Sequence, residues 1–299
     1  MTKPHILFTG GAGDLGRRVT EQFLRRGDKV TSLDLTAHTI DGAHVIAGSV
    51  SDRSVVATAL TGVTTVIHSA AWHGIHEFRQ LKGATEFWDV NMTGTFNLLQ
   101  GCVEAGVKRF VFISSTSIDE WPSMYGLTKL LGEELARGYA FANGMQIVAL
   151  RPRGFIPWDN TWVYPSFLDW ARWFARGAVH IDDVVRAVLN AVDYVGTQSA
   201  AVFESIEIDG KHDLTPEDIS YWRAHGWQEF LRHRFPHVVS DLLKIDFSPA
   251  EPPTYKSLER ARSILGYHPT YGFEELINEI IRRHPSGEAQ AVSQGMQGV

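Results

Sequence analysis

Thr9-Gly10-Gly11-Ala12-Gly13-Asp14-Leu15-Gly16 is the stretch that decides how this chain folds. His5-Ile6-Leu7-Phe8 before it reads as a short, continuous, fully buried strand. Residues 15–26 after it read as a helix with Leu15, Val19, Phe23 and Leu24 inward, stopped by Gly27. A glycine loop that leaves a strand and enters a helix is a dinucleotide-binding turn. Gly10 allows the tight turn, Gly13 lets the backbone approach a pyrophosphate, and Gly16 lets helix and strand pack closely. The helix start, Asp14 and Leu15, adds N–H groups and a partial positive charge suited to that anion. Asp34 ends the next strand, where a carboxylate can take both hydroxyls of an adenosine ribose and repel a 2′-phosphate, so NAD is expected rather than NADP.

Working outward, strands are expected at 29–34, 45–48, 64–69, 109–115 and 146–151. Helices are expected at 52–60, 86–106 and 124–143. The alternation implies right-handed βαβ units, hence an α/β fold with a Rossmann-type, doubly wound parallel sheet. After Arg151 the character changes. Residues 152–178 carry Trp158, Trp162, Trp170 and Trp173 and little strand pattern. A helix follows Val179, with Asp182 or Asp183 as its cap, and residues 213–235 read as helical behind Thr215-Pro216. Short helices close the chain at 257–265 and 272–283. The expected organisation is an NAD-binding domain over 1–151, completed by about 179–209. A smaller substrate-binding domain takes 152–178 and 210–284, with a flexible tail over 285–299.

Composition narrows the function. The 299 residues include 44% hydrophobic side chains, ample for a core, and no apolar run near the roughly 20 residues that cross a bilayer. A net charge of −6 disfavours nucleic acid. Thirteen histidines show no ligand spacing, so no metal site is expected. Cys102 is the only cysteine and reads as a core residue; with no room for a signal peptide, a reducing cytoplasm is expected.

Tyr125 and Lys129 stand one helical turn apart, just after Ser114-Ser115-Thr116. An ammonium there can stabilise a phenolate and pull its pKa down from roughly 10 toward neutrality. A hydroxyl, Thr116 first and Ser115 second, can hold the substrate oxygen.

Together with Asp52, His68-Ser69-Ala70-Ala71, Asn91-Met92-Thr93-Gly94-Thr95, Leu150-Arg151-Pro152, His180-Ile181-Asp182-Asp183 and Leu265-Gly266-Tyr267-His268-Pro269, these residues resemble the extended short-chain dehydrogenase/reductase family. The matches run nearly end to end. The resemblance implies NAD-dependent hydride transfer at a sugar hydroxyl carbon, with Tyr125 as base. It places Asp52 by the adenine, Ala70 and Ala71 along the cofactor, Lys129 also on the nicotinamide ribose, and Asn91 in ordering the active-site helix. It also implies a homodimer through helices 86–106 and 124–143. The pattern has departures. Only eight residues separate Thr116 from Tyr125, so the pocket is either open or covered by the tryptophan segment. Ser117-Ile118 stands where dehydratases carry Asp-Glu, which disfavours elimination. Arg153-Gly154-Phe155-Ile156-Pro157 is similar to the family's free-sugar (uronate) dehydrogenases.

The first expectation is a sugar-nucleotide epimerase. The second is a dehydrogenase of a free sugar or sugar acid, and the third a non-catalytic NAD-binding regulator. The four tryptophans either stack on a ligand or build the small domain. Arg153, Arg172, Arg176, Arg232 and Arg234 are candidates for diphosphate or carboxylate contacts. The sugar itself is not legible.

Overall fold

The computed structural model describes residues 3–120 and 122–284; the expected tail over 285–299 lies outside them. Seven parallel strands form one sheet in the order β3-β2-β1-β4-β5-β6-β7. They are β1 (His5–Thr9), β2 (Lys29–Asp34), β3 (His44–Ala47), β4 (Thr65–His68), β5 (Arg109–Ile113), β6 (Gln146–Pro152) and β7 (Val202–Ile208). Ile6, Leu7 and Phe8 of β1 have no exposed surface, as expected of a strand covered on both faces. The order reverses between β1 and β4. That switch point opens a crevice at the carboxyl ends of the strands, where Thr9, Asp34, His68 and Ile113 lie.

The helices of this sheet are α1 (Asp14–Arg25), α2 (Arg53–Ala59), α3 (Gly74–Phe78), α4 (Ala84–Phe87), α5 (Gly94–Ala105) and α6 (Met124–Asn143). One sheet face is covered by a core of Leu7, Leu33, Val66, Leu98, Leu99, Phe110, Phe112, Ala136 and Ala140 among others. Cys102 is part of it, and burial pushes its thiol up to about 12, which rules it out as a nucleophile. The expected single helix over 86–106 is continuous but not uniform: a π-helical turn, Trp88–Thr93, joins α4 to α5.

The chain divides into two compact units. The first takes the residues through Gly154, then Val184–Ile208 and Ser257–Tyr267; the second takes Phe155–Asp183, Asp209–Lys256 and the described residues from His268. In the second, α7 (Phe167–Phe174) forms inside the tryptophan-rich stretch. Trp170 is fully buried and donates from Nε1 to the Ile156 carbonyl at 3.0 Å. It joins Phe174, Trp222, Trp227, Phe230 and Phe273 in an aromatic core. The expected helix over 213–235 is α9 (Pro216–His225) and α10 (Trp227–Arg234), broken at Gly226, whose φ of +81° suits glycine. Thr215 caps α9 as a capping box with Asp218.

One cap expectation is corrected. Helix α8 (Ile181–Thr197) starts before Asp182 and Asp183, so both lie in its first turn rather than at its cap. Asp183 is fully buried and accepts the backbone N–H groups of Thr270 and Tyr271 at 2.9 and 3.1 Å.

Candidate active site

The glycine turn is built by contacts that only glycine permits. Gly10 has φ +82°, and a Cβ there would lie 2.9 Å from the Ala70 nitrogen. A Cβ on Gly16 would meet the Gly10 carbonyl oxygen at 2.4 Å. Gly13 differs: a Cβ there meets only that oxygen, at 3.4 Å, and the residue faces solvent. Gly13 is also the cap of α1 and, as a glycine, brings no side chain to the first turn of the helix. An open, uncapped helix start beside bare backbone fits a dinucleotide pyrophosphate. Asp34 stands next to it, held by the Ala12 and Thr36 N–H groups at 3.0 and 2.8 Å. Asp52 caps α2 through the Ser54 and Val55 N–H groups. Ala70 and Ala71 follow β4, half-buried, with the Ala70 N–H on the Thr9 hydroxyl at 3.3 Å.

Beside this turn runs a buried chain of hydrogen bonds whose direction can be assigned. The Thr95 hydroxyl donates to the Asn91 carbonyl at 2.5 Å, so it accepts from His68 Nε2 at 2.9 Å. His68 Nδ1 is then the acceptor for the Thr9 hydroxyl at 2.8 Å. Burial, followed by repulsion from Lys129, pushes His68 down to about 3, so its imidazole stays neutral. The Asn91 side chain grips the Trp72 N–H at 2.8 Å and carbonyl at 3.1 Å. It also donates to the Thr128 hydroxyl at 3.0 Å, which ties the π-turn to α6.

Helix α6 carries Tyr125 and Lys129, both buried. Lys129 Nζ lies 5.8 Å from the centre of the Tyr125 ring and donates to the Ile113 carbonyl at 2.7 Å. The Ser115 side chain, rather than that of Thr116, is the hydroxyl that favours the ionised form of Tyr125. Ser115 is still extended, at φ −160°, while Thr116 has begun a 3₁₀ turn, Thr116–Asp119, so their side chains diverge.

The expected fall in the phenol's pKa is corrected here. Burial pushes Tyr125 up to about 12; the Ser115 side chain opposes this, and Glu120 adds to it. Burial also pushes Lys129 down to about 7, against the favourable charge of Glu133. Desolvation is the largest effect on both side chains.

Sequence reasoning missed three residues. Glu133, fully buried, accepts from Ser114, from Arg151 Nε at 2.9 Å and Nη2 at 2.6 Å, and from Ser205 at 3.1 Å. Glu77 of α3 accepts the Met124 and Tyr125 N–H groups at 2.6 and 3.0 Å and the Ser123 hydroxyl at 3.0 Å. His73 packs on the Tyr125 ring at 5.1 Å. The spacing of Glu133 from Lys129, one turn along α6, was the only local signal for any of them.

The model of the NAD-dependent epimerase/dehydratase family matches residues 6–156, about half of the chain. The chain belongs to this family. Its members are enzymes, with NAD as their cofactor. The 3β-hydroxysteroid dehydrogenase/Δ5→4-isomerase of Mycobacterium tuberculosis is 33% identical over 92% of this chain and 89% of its own length. A UDP-glucose 4-epimerase of Erwinia amylovora is 32% identical over 49% of this chain and 52% of its own. Among solved structures, MoeE5 in complex with UDP-glucose and NAD shares the fold. Its TM-score is 0.67 at 22% identity, covering 93% of this chain and 99% of that one.

Two outcomes are expected. NAD should bind at least 10-fold more tightly than NADP, because a 2′-phosphate would meet the Asp34 carboxylate; calorimetric titration of both checks this. Between about pH 7 and pH 10 the unfolded chain holds a proton on residue 129 that the folded protein releases, so stability should rise with pH. Above pH 10 the buried Tyr125, protonated up to about 12, reverses the slope. Lys129→Met should flatten the rise, measured as urea midpoints at pH 7.5 and 9.5.

Proposed function

We propose that this enzyme is an NAD-dependent dehydrogenase of a free cyclic secondary alcohol, of the sugar or sugar-acid type. The observation that carries this reading is the buried pair Tyr125 and Lys129, one turn apart on α6, with Lys129 fixed to the Ile113 carbonyl and Ser115 just past the end of the adjoining strand. Tyr125 takes the proton of the substrate hydroxyl, and Ser115 steadies the same oxygen. Lys129, fixed by the Ile113 carbonyl one turn from the phenol, holds the nicotinamide ribose. Gly10, Gly13, Asp14, Leu15 and Gly16 hold the pyrophosphate and Asp34 the adenosine ribose; Asp52, Ala70 and Ala71 line the same cofactor. Bound NAD supplies the hydride acceptor and a further positive charge near Tyr125.

Two observations favour net oxidation of an unphosphorylated substrate. Three of the arginines suited to a diphosphate already pair with carboxylates: Arg172 with Asp169 and Asp246, Arg232 with Glu229, Arg234 with Glu274 and Asp218. The tuberculosis relative, aligned over nine tenths of this chain, is a dehydrogenase by name, whereas the Erwinia epimerase aligns over half. The second reading is the sugar-nucleotide epimerase, favoured by the shared fold with MoeE5, solved with UDP-glucose. The single cysteine, buried, suits a cytoplasmic enzyme.

Phe96 of α5 and Phe141 of α6 are 41% and 63% exposed, and Trp88 is 49% exposed. Such large rings on this helical layer support a homodimer. Light scattering at micromolar concentration should give twice the chain mass, and Phe96→Glu with Phe141→Glu should halve it.

Activity tests the chemistry. With NAD⁺, free sugars or uronates should yield NADH, while UDP-glucose should yield neither NADH nor its epimer. Tyr125→Phe should remove nearly all turnover and leave NAD binding close to normal. Ser115→Ala should cost on the order of 10² in kcat, more than Thr116→Val. Full activity in Tyr125→Phe would refute the assignment.

A further inference from the structure

The loop after β4 carries a group that neither the glycine turn nor the Tyr–Lys pair uses. Trp72 is clamped by Asn91 through both its backbone N–H and its carbonyl. The next residue, His73, lays its ring against Tyr125, with centroids 5.1 Å apart and planes at 46°. Gly74 follows, and a Cβ there would approach Tyr125 Cδ1 to 3.1 Å, so the backbone itself rests on the ring. Glu77 closes the segment by accepting the Met124 and Tyr125 N–H groups and the Ser123 hydroxyl. Burial opposes ionisation of Glu77, but these three donors hold its carboxyl below the usual range. Both ends of residues 72–77 are thus fixed, one to the π-turn and one to the helix that carries Tyr125.

The proton of His73 can be placed. Its Nδ1 accepts the Ile75 N–H at 3.3 Å, so that nitrogen presents a lone pair and the hydrogen sits on Nε2. Burial, then Lys129 and His76, pushes the ring down to about 4, which keeps it neutral near pH 7. A neutral imidazole with Nδ1 engaged has one polar function to offer, a single N–H donor beside the phenol.

We propose that His73 is a further substrate-binding residue, donating Nε2–H to an oxygen on the carbon next to the one oxidised. It thereby selects vicinally oxygenated rings, such as sugars and sugar acids, over alcohols with hydrocarbon neighbours. The proposal rests on Tyr125 being the base, as above. A hydrocarbon neighbour would leave the N–H unpaired in a dry site, a penalty on the order of 10- to 100-fold in specificity.

The test uses the purified enzyme with NAD⁺ and four probes: D-glucuronate, D-galactose, UDP-glucose and a 3β-hydroxysteroid. NADH and epimeric product are both followed. The best substrate is then compared with its analogue lacking the hydroxyl beside the reacting carbon. Wild type should favour the oxygenated member at least 10-fold in kcat/KM. His73→Phe keeps a ring on Tyr125 but removes the donor; it should abolish that preference and leave the analogue within about 2-fold of wild type. His73→Asn, with an amide donor, should restore part of it. Equal losses on both members, no loss on either, or the steroid as best substrate would overturn the proposal. In the first two cases an inactive Tyr125→Phe leaves the dehydrogenase reading standing; a steroid as best substrate overturns its sugar or sugar-acid type as well. No turnover of any probe overturns both.

Discussion

The Glu133 carboxylate is the constraint on which the catalytic half of this protein depends. It has no exposed surface, so an ion this far from water is tolerable only with its lone pairs filled. Arg151 of β6 supplies a two-pronged contact, and Ser114 after β5 and Ser205 of β7 supply hydroxyls. One carboxylate therefore fixes α6 against three adjacent strands. The same charge favours the ammonium of Lys129 one turn away, against a burial that drives the proton off. Ser114 is held directly before Ser115, so the hydroxyl that meets Tyr125 inherits its position from the same ion pair.

The site then works by geometry more than by preset charge. Burial sets both members of the Tyr–Lys pair against ionising. With Tyr125 as the proposed base, a further cation in the neighbouring cofactor crevice would favour its ionised form and so couple proton removal to cofactor binding. His68, neutral and hydrogen-bonded at both nitrogens, adds no competing proton acceptor between the two.

Much of this architecture was legible from residue spacing, and the gaps have physical causes. The glycine turn and the Tyr125–Lys129 pair are local, so a few residues carry their whole geometry. Strand β7 escaped notice because it pairs with β6 alone at the edge of the sheet and most of its residues are only half-buried. The π-turn inside the helix over 86–106 escaped because the apolar pattern runs through it. Glu77 meets α6 across almost fifty positions, and no periodicity reports such a contact. Choosing between Ser115 and Thr116 required knowing where the extended backbone ends, a boundary that sequence patterns place only within a few residues. The pKa shifts were misjudged because charge spacing is visible in a sequence and depth of burial is not.

The π-turn at Trp88–Thr93 has a consequence for how this chain can vary. The Gly94 N–H bonds back five residues to the Asp89 carbonyl, so the turn holds one residue more than an α-helix would. Removing that residue would leave a sound helix but rotate everything beyond it by about 100° relative to everything before. Asn91 could then face Thr128, or Leu98 and Leu99 could face the sheet, but not both at once. The insertion lets one continuous rod serve two masters on different sides. Losing one residue from this rod should therefore disturb the site more than substituting one along it.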